Sequence, residues 1–298
     1  MPRVRVLLLN AALGPLDYRG DAEPGSVVIA PLGPRQELGV AWEAERLPAN
    51  EIDEARLRPL LQVLDSPPLP APLRRLIEWT SDYYLAPMGA VLRMTLPSTS
   101  ALGGARIVTE YRPTGLVPDR MTPQREQALE RIVGRQGLIG ELAAAAGVSD
   151  AVIRGLVKTG AIEAVEVSTD HPYPLPDPDF HVPVLETAQA EAAEALRASV
   201  RERAFQPFLL DGVTGSGKTE VYFEAIAEAL RHGRQTLVLL PEIALTEPFL
   251  QRFTARFGCE PVAWHSGLRQ SQRRRAWRAI AQGEAKVVVG ARSALFLP

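Results

Sequence analysis

The sequence predicts a multidomain chain. A small β-rich unit with a helix comes first, then a winged-helix unit, then an α/β lobe with a parallel sheet around a phosphate-binding loop. Three observations predict this. Short apolar runs separated by Gly and Pro turns occupy residues 1–105. Capped helical patterns and a strand-like run follow over residues 106–170. From residue 185 onward, helix and strand patterns alternate. The 298-residue length accommodates units of this size, and a hydrophobic fraction of 46% fills their cores.

In residues 1–105, Val4–Leu9 reads as a strand. Gly25-Ser26 turns into a second strand at Val27–Pro31, and Leu38–Trp42 is a third, with Gly33-Pro34 as punctuation. Over residues 72–85, Leu73, Leu76, Ile77, Thr80 and Tyr84 share one helical face. In residues 106–170, Thr122 caps a helix with Pro123 at its first position and Leu129, Ile132 and Val133 inward. Gly140–Gly147 closes a second helix on glycine, and Ser149 caps a third at Asp150–Thr159. Ala161–Val167 supplies the wing strand. The third helix has two readings: a groove reader using Arg154 and Lys158, or a structural spacer.

Residues 171–184 carry Pro172, Pro174, Pro176, Pro178 and Pro183, the composition of an extended linker. Residues 185–298 form the lobe. Its expected order is helix Ala188–Arg203, buried strand Phe208–Leu210, helix Glu220–His232 and strand Thr236–Leu240. Helix Leu245–Phe257, strand Val262–Trp264, helix Gln272–Gln282 and strand Lys286–Gly290 follow.

Composition excludes some classes. A net charge of −2 argues against a general nucleic-acid coat, although a local basic face still suffices for binding. Cys259 is the one cysteine, so neither an internal disulfide nor a cysteine-based zinc site is expected. Leu7-Leu8-Leu9 is too short for a signal segment, and no run approaches the ~18 apolar residues of a membrane span. A cytoplasmic location with no membrane partner is the expectation.

The strongest motif is Gly212-Val213-Thr214-Gly215-Ser216-Gly217-Lys218-Thr219, which matches G-x-x-x-x-G-K-[ST]. Lysine occurs only at 158, 218 and 286, so this composition yields roughly 0.0015 chance matches. Such a loop curls its main-chain N–H groups around a β-phosphate at a helix N-terminus. Lys218 would bridge the β- and γ-phosphates, and Thr219 would offer its hydroxyl to Mg²⁺. The expected cofactors are therefore ATP and Mg²⁺, with no zinc. The strand at Lys286–Gly290 leads into Ala291-Arg292-Ser293, so it is not followed by an Asp-Glu pair, and no Walker B sequence is read.

Several stretches together resemble the primosomal protein N′ (PriA) family of replication-restart DNA helicases. In the lobe they are Leu209–Tyr222, Leu239–Thr246, His265-Ser266, Arg273–Trp277 and Val288–Phe296. Near the N-terminus they are Leu16-Asp17-Tyr18, Pro31-Leu32-Gly33, Leu57-Arg58-Pro59 with Val63-Leu64-Asp65, and Trp79 through Pro87. The resemblance implies a 3′-DNA-binding domain at 1–105, a winged helix at 106–170 and the first, RecA-like lobe of a 3′→5′ helicase at 185–298. It implies Gln189 as an adenine reader, and Pro241, Glu242, Thr246, Arg292 and Ser293 as DNA-side residues. In the first domain it implies that Leu16, Asp17, Tyr18, Gly33 and Arg58 receive the terminal nucleotide of a strand, with Asp17 accepting from its hydroxyl. Leu16 stands where the family usually has an aromatic residue, and Arg58 where it more often has lysine.

The resemblance further implies replication restart and primosome assembly at the nucleoid. Branched DNA with a free 3′ end, single-stranded DNA, single-strand-binding protein and other primosome proteins would be partners. The family's Asp-Glu-Glu-His motif, second lobe, arginine finger and zinc-binding cysteines are absent from this sequence. A fragment and a naturally shortened protein both account for that. The chain alone is expected to hydrolyse ATP negligibly. Two further readings stay open: a non-enzymatic fork-binding scaffold that recruits restart proteins, and a nucleotide-sensing winged-helix regulator.

Overall fold

The computed structural model describes residues 2–10, 13–43, 54–96, 102, 107–118, 120–168, 172–241 and 247–298. The chain divides into two compact units, one from residues 1–104 with 172–298 and the other from residues 105–171.

The first unit begins with an antiparallel sheet of β1 (Arg3–Leu8), β2 (Leu16–Arg19), β3 (Val27–Leu32), β4 (Arg35–Trp42) and β5 (Gln62–Val63), in the order β2-β1-β4-β3-β5. Alternation along the strands sorts the side chains onto two faces. Val4, Val6 and Leu8 of β1 meet Tyr18, Val28, Ala30 and Ala41 in one buried cluster. Leu7 points the other way, with Val27, Val40 and Trp42, against Leu73 and Ile77 of α1 (Ala71–Tyr84) and Val91 and Leu92 of α2 (Met88–Thr95). Strand β2 was not expected, because Leu-Asp-Tyr-Arg has little β character of its own; its ladder to β1 creates it. Tyr84, expected on the inner face of α1, is 68% exposed, so that face is narrower than the spacing predicted.

The same unit holds the α/β lobe: α6 (Thr187–Glu202), α7 (Lys218–Arg231), β8 (Thr236–Leu239), α8 (Glu247–Phe257), β9 (Val262–Trp264), α9 (Gln270–Ala281) and β10 (Val287–Gly290). Its strands form a parallel sheet in the order β8-β10-β9. Phe208–Leu210, expected as a buried strand, has no ladder with any described strand. Without a partner the apolar run stays open to solvent, with Leu209 93% exposed. Phe223 of α7 packs edge-on against Phe249 and Phe253 of α8, and Phe257 also joins this core.

Residues 172–184 hold neither helix nor strand, bend through a turn at 178–181, and are tied along the lobe. The Asp177 amide donates to Phe257 O at 2.9 Å. Arg256 Nη1 donates to Pro178 O at 2.8 Å, and Arg231 pairs with Asp179 at 2.6 Å. The Arg275 guanidinium lies 4.1 Å from the Tyr173 ring centroid.

The lobe and the N-terminal sheet share a core. Trp277 of α9 is fully buried, and its indole N–H donates to Thr95 O at the end of α2 at 2.9 Å. Trp264, Ile280 and Val288 join Leu92, Leu96 and Trp42 in the same cluster. Stretches expected as separate domains at 1–105 and 185–298 therefore contribute to one apolar interior.

The second unit has three helices, α3 (Pro123–Arg131), α4 (Ile139–Ala146) and α5 (Asp150–Lys158), and an antiparallel pair, β6 (Ile107–Pro113) and β7 (Ile162–Ser168). Ile132, Leu142, Ile153 and Leu156 are its core. Thr122 Oγ1 accepts from the Arg125 amide at 3.4 Å, so the expected cap forms. Val133, expected inward, is 74% exposed because α3 ends at Arg131 and the chain turns away. Arg154 and Lys158 are exposed on α5. Among the described residues no helix is long and apolar enough to cross a membrane.

Candidate nucleotide and DNA sites

The phosphate loop runs over residues 212–219 into α7, whose first residue is Lys218. Gly215 and Gly217 have φ of +85° and +77°, the left-handed region that side chains disfavour. A Cβ on Gly217 would collide with Gln189 Nε2, and one on Gly212 would lie 2.7 Å from Ser216 Oγ. Only bare backbone therefore allows the loop this curl, which turns it into a helix N-terminus. In this conformation Lys218 Nζ donates to the carbonyls of Gly212 and Val213. These carbonyls hold the ammonium over the loop. Thr219 Oγ1 lies 3.5 Å from Tyr222 OH. An anionic tail suits this cradle of amides, ammonium and hydroxyl.

Gln189 lies beside the loop on α6. Its Nε2 donates to Ser216 O at 3.1 Å, and its Oε1 accepts from the Glu186 amide at 3.0 Å. One amide thus ties the start of α6 to the phosphate loop.

Of the residues expected on the DNA side, Pro241, Arg292 and Ser293 fall on the edge where the parallel strands end. Strands β8 and β10 are in register to Leu239 and Gly290, and the Leu240 amide donates to Gly290 O at 2.9 Å. Pro241 therefore leaves β8 at the level where Arg292 and Ser293 leave β10. Arg292 and Ser293 are exposed at the start of a 3₁₀ turn, Arg292–Phe296, anchored by buried Ala294. Ligands of open parallel sheets gather at this edge. Glu242 and Thr246 lie outside the described residues.

In the N-terminal sheet, Arg58 Nη1 donates to Gly33 O at 2.8 Å. The Arg19 amide donates to Arg58 O, and the Leu60 amide to Arg19 O, each at 2.9 Å, which holds this segment beside β2. Leu16 is half-buried against the adjoining core. Tyr18, expected to face the nucleotide, is only 3% exposed, and its hydroxyl donates to Pro31 O at 3.2 Å. Burial raises its pKa, against a smaller opposing pull from Arg58.

Asp17 is buried in this sheet. Its side chain is 1% exposed and points to the face opposite Tyr18. Its carboxylate accepts from Arg3 Nη2 at 2.6 Å and from Arg5 Nε at 3.0 Å. The resemblance implies that Asp17 accepts from a nucleotide hydroxyl; in this structure both of its oxygens accept from arginines. Burial raises its pKa, but hydrogen bonds and charge from Arg3 and Arg5 outweigh that, and the pKa lies below the usual carboxylate value. Sequence reading missed Arg3 and Arg5. No local signal marks them: the ladder between β1 and β2 sets Arg5 opposite Asp17 and Arg3 opposite Arg19.

Two family models match the chain, the 3′DNA-binding domain (3′BD) of PriA over residues 5–97 and the DEAD/DEAH box helicase over residues 186–297. The replication restart protein PriA of Chlamydia pneumoniae is 30% identical over an alignment of 295 positions that covers 92% of this chain and 38% of that protein. The Haemophilus influenzae protein of the same name is 31% identical over 91% of this chain and 38% of its own length. That of Bacillus subtilis is 38% identical over 168 residues, 53% of this chain and 20% of the relative. The chain thus spans well under half of these relatives. A DEAD/DEAH box helicase match implies use of a nucleotide, typically with Mg²⁺. With a DNA-end-binding domain and a helicase domain matched in that order, and relatives of one name aligned along nearly all of it, the chain belongs to the replication restart protein PriA family and matches its N-terminal part.

Proposed function

We propose that the chain recognises branched replication forks carrying a free 3′ end and takes part in replication restart, with ATP and Mg²⁺ held at the phosphate loop. The observation that carries this reading is the shared core. A 3′-DNA-binding domain match and a helicase domain match lie in one compact unit, joined through Trp277. Binding at one part is therefore poised to bear on the other.

On this reading the amides of residues 213–219 and Lys218 hold the triphosphate, Thr219 faces the metal ion and Gln189 faces the adenine. Lys218 exchanges its two carbonyl partners for phosphate oxygens. When bound, ATP supplies the free energy for strand movement in a complete motor. Pro241, Glu242, Thr246, Arg292 and Ser293 contact the backbone of single-stranded DNA at the sheet edge. Leu16, Gly33 and Arg58 border the surface for the 3′ end, and Asp17 acts through Arg3 and Arg5. Single-strand-binding protein and other primosome proteins are partners, and the protein works in the cytoplasm at the nucleoid.

The test is fluorescence anisotropy with a labelled fork. A free 3′-OH on the leading strand should bind more tightly than the same fork ending in a 3′-phosphate. Equal binding would remove the 3′-end reading, and preference for one duplex sequence over any branch would favour a regulator.

A further inference from the structure

We propose that Arg252 is a further residue of the nucleotide site, a positioning residue that neutralises Glu220 beside the phosphate loop. The inference rests on the reading that this loop holds a nucleotide.

Glu220 follows Lys218 and Thr219 directly and lies in the first turn of α7. Its Oε2 stands 3.6 Å from where a Cβ on Gly217 would sit, so a carboxylate borders the curl of the loop itself. That oxygen is buried and accepts no hydrogen bond among the described residues. The other, Oε1, accepts from Arg252 Nη2 on α8. An unpaired negative charge here would repel a triphosphate and weaken the field of the helix N-terminus. Arg252 cancels that charge.

The pair has a twin one turn along. Glu224 and Arg256, each four residues further on, pair at 2.9 Å. The two rungs run in the same sense, so α7 and α8 lie parallel, with Phe223 and Phe253 between them. The Glu224–Arg256 rung is buried, with side chains 5% exposed on both partners. The rung at the loop is open, with Arg252 53% exposed. Burial makes the inner rung a matter of folding. Arg252, largely in solvent, can be changed with little effect on the core, yet it touches the carboxylate that borders the loop. The pair thus ties the first turn of α7, beside the loop, to α8.

The test is equilibrium binding of mant-ATP with Mg²⁺ to the full 298-residue chain by fluorescence, with thermal melts alongside. Arg252→Gln should weaken binding about tenfold, the scale of one uncompensated nearby charge at a partly exposed site, with an unchanged melt. Arg252→Lys should keep most of the affinity, and the double variant Arg252→Gln/Glu220→Gln should recover it, because the charge to be neutralised is gone. Parental affinity in Arg252→Gln would overturn the proposal, as would a double variant that stays weak. Lys218→Ala separates the two readings. If the parent binds no better than Lys218→Ala, the nucleotide reading fails and the role of Arg252 falls with it; if Lys218→Ala loses binding and Arg252→Gln does not, only the role of Arg252 fails.

Discussion

The phosphate loop and the surface around Asp17 are built on opposite principles. The loop is a backbone device. Its curl comes from Gly212, Gly215 and Gly217, it is largely exposed, and Lys218 rests on carbonyls it can leave. The Asp17 surface is a side-chain device, with a buried carboxylate clamped by arginines from the neighbouring strand. The loop can change partners at small cost, whereas altering Asp17 removes a buried ionic contact of Arg5. A variant at Lys218 should therefore change binding and leave stability alone, and a variant at Asp17 should change stability.

The largest expected effect strikes both regions at once. Trp277→Ala empties a fully buried site and removes the hydrogen bond to Thr95 O. A loss of about 3–5 kcal/mol is expected for such a truncation. Thermal denaturation should show a much lower midpoint, with the N-terminal sheet and the lobe losing structure together. If the midpoint is unchanged, the joint core is not what unites them.

Asp17→Ala comes next. Arg5 would lose a partner while only 4% exposed. Breaking such a pair costs about 3 kcal/mol, at the low end of the usual range because Arg3 is 34% exposed. The pH dependence has a definite sign. The folded pKa is lowered, so the stabilisation is fully present above the unfolded value of about 3.9 and is lost as pH falls below it through the folded pKa. Wild-type and Asp17→Ala melts should converge in that acid window. Constant separation down to strong acid would show that the Asp17 charge contributes nothing.

These two residues also mark what could be read from sequence. The loop was legible because its chemistry is sequential: glycines at fixed spacing, then Lys218 and Thr219 opening a helix. The winged-helix unit was legible for a similar reason, since Thr122 and Gly147 mark helix ends locally. Trp277 and Asp17 depend on neighbours far along the chain, and Thr95 is 182 residues from its indole partner. Spacing carries no such information. Phe208–Leu210 fails for the complementary reason: its apolar character was read correctly, but strand formation requires a ladder, and none of the described strands pairs with it. In the 3′-end segment the residue types were legible, but the face of β2 on which each side chain lies, and the burial of Asp17 and Tyr18, were not.

Lys218→Ala should act on binding alone. Lys218 is a half-buried loop-edge residue, and its hydrogen bonds are to carbonyls that water can also serve. Removing a charge-assisted contact to phosphate costs about 2 kcal/mol, or roughly thirtyfold in affinity. Equilibrium mant-ATP binding reports it, and the melting midpoint should stay within about a degree of the parent. A large drop in midpoint would mean that the lysine stabilises the loop, and the contrast with Asp17 would then be false.

The smallest effect sharpens the contrast most, because it lies in the N-terminal sheet yet should behave like the loop. Arg58 is exposed, and its single described side-chain hydrogen bond goes to the Gly33 carbonyl. Its main chain, not its side chain, holds the segment to β2. Arg58→Ala should therefore leave the melt unchanged. If the guanidinium contacts nucleic-acid phosphate, fork binding should weaken by about 1 kcal/mol, near fivefold, and the salt dependence should fall by about one counterion. An unchanged salt slope would remove Arg58 from the DNA surface. A shifted melt with unchanged binding would make it structural, so that the N-terminal sheet would hold no exchangeable contact like that of Lys218.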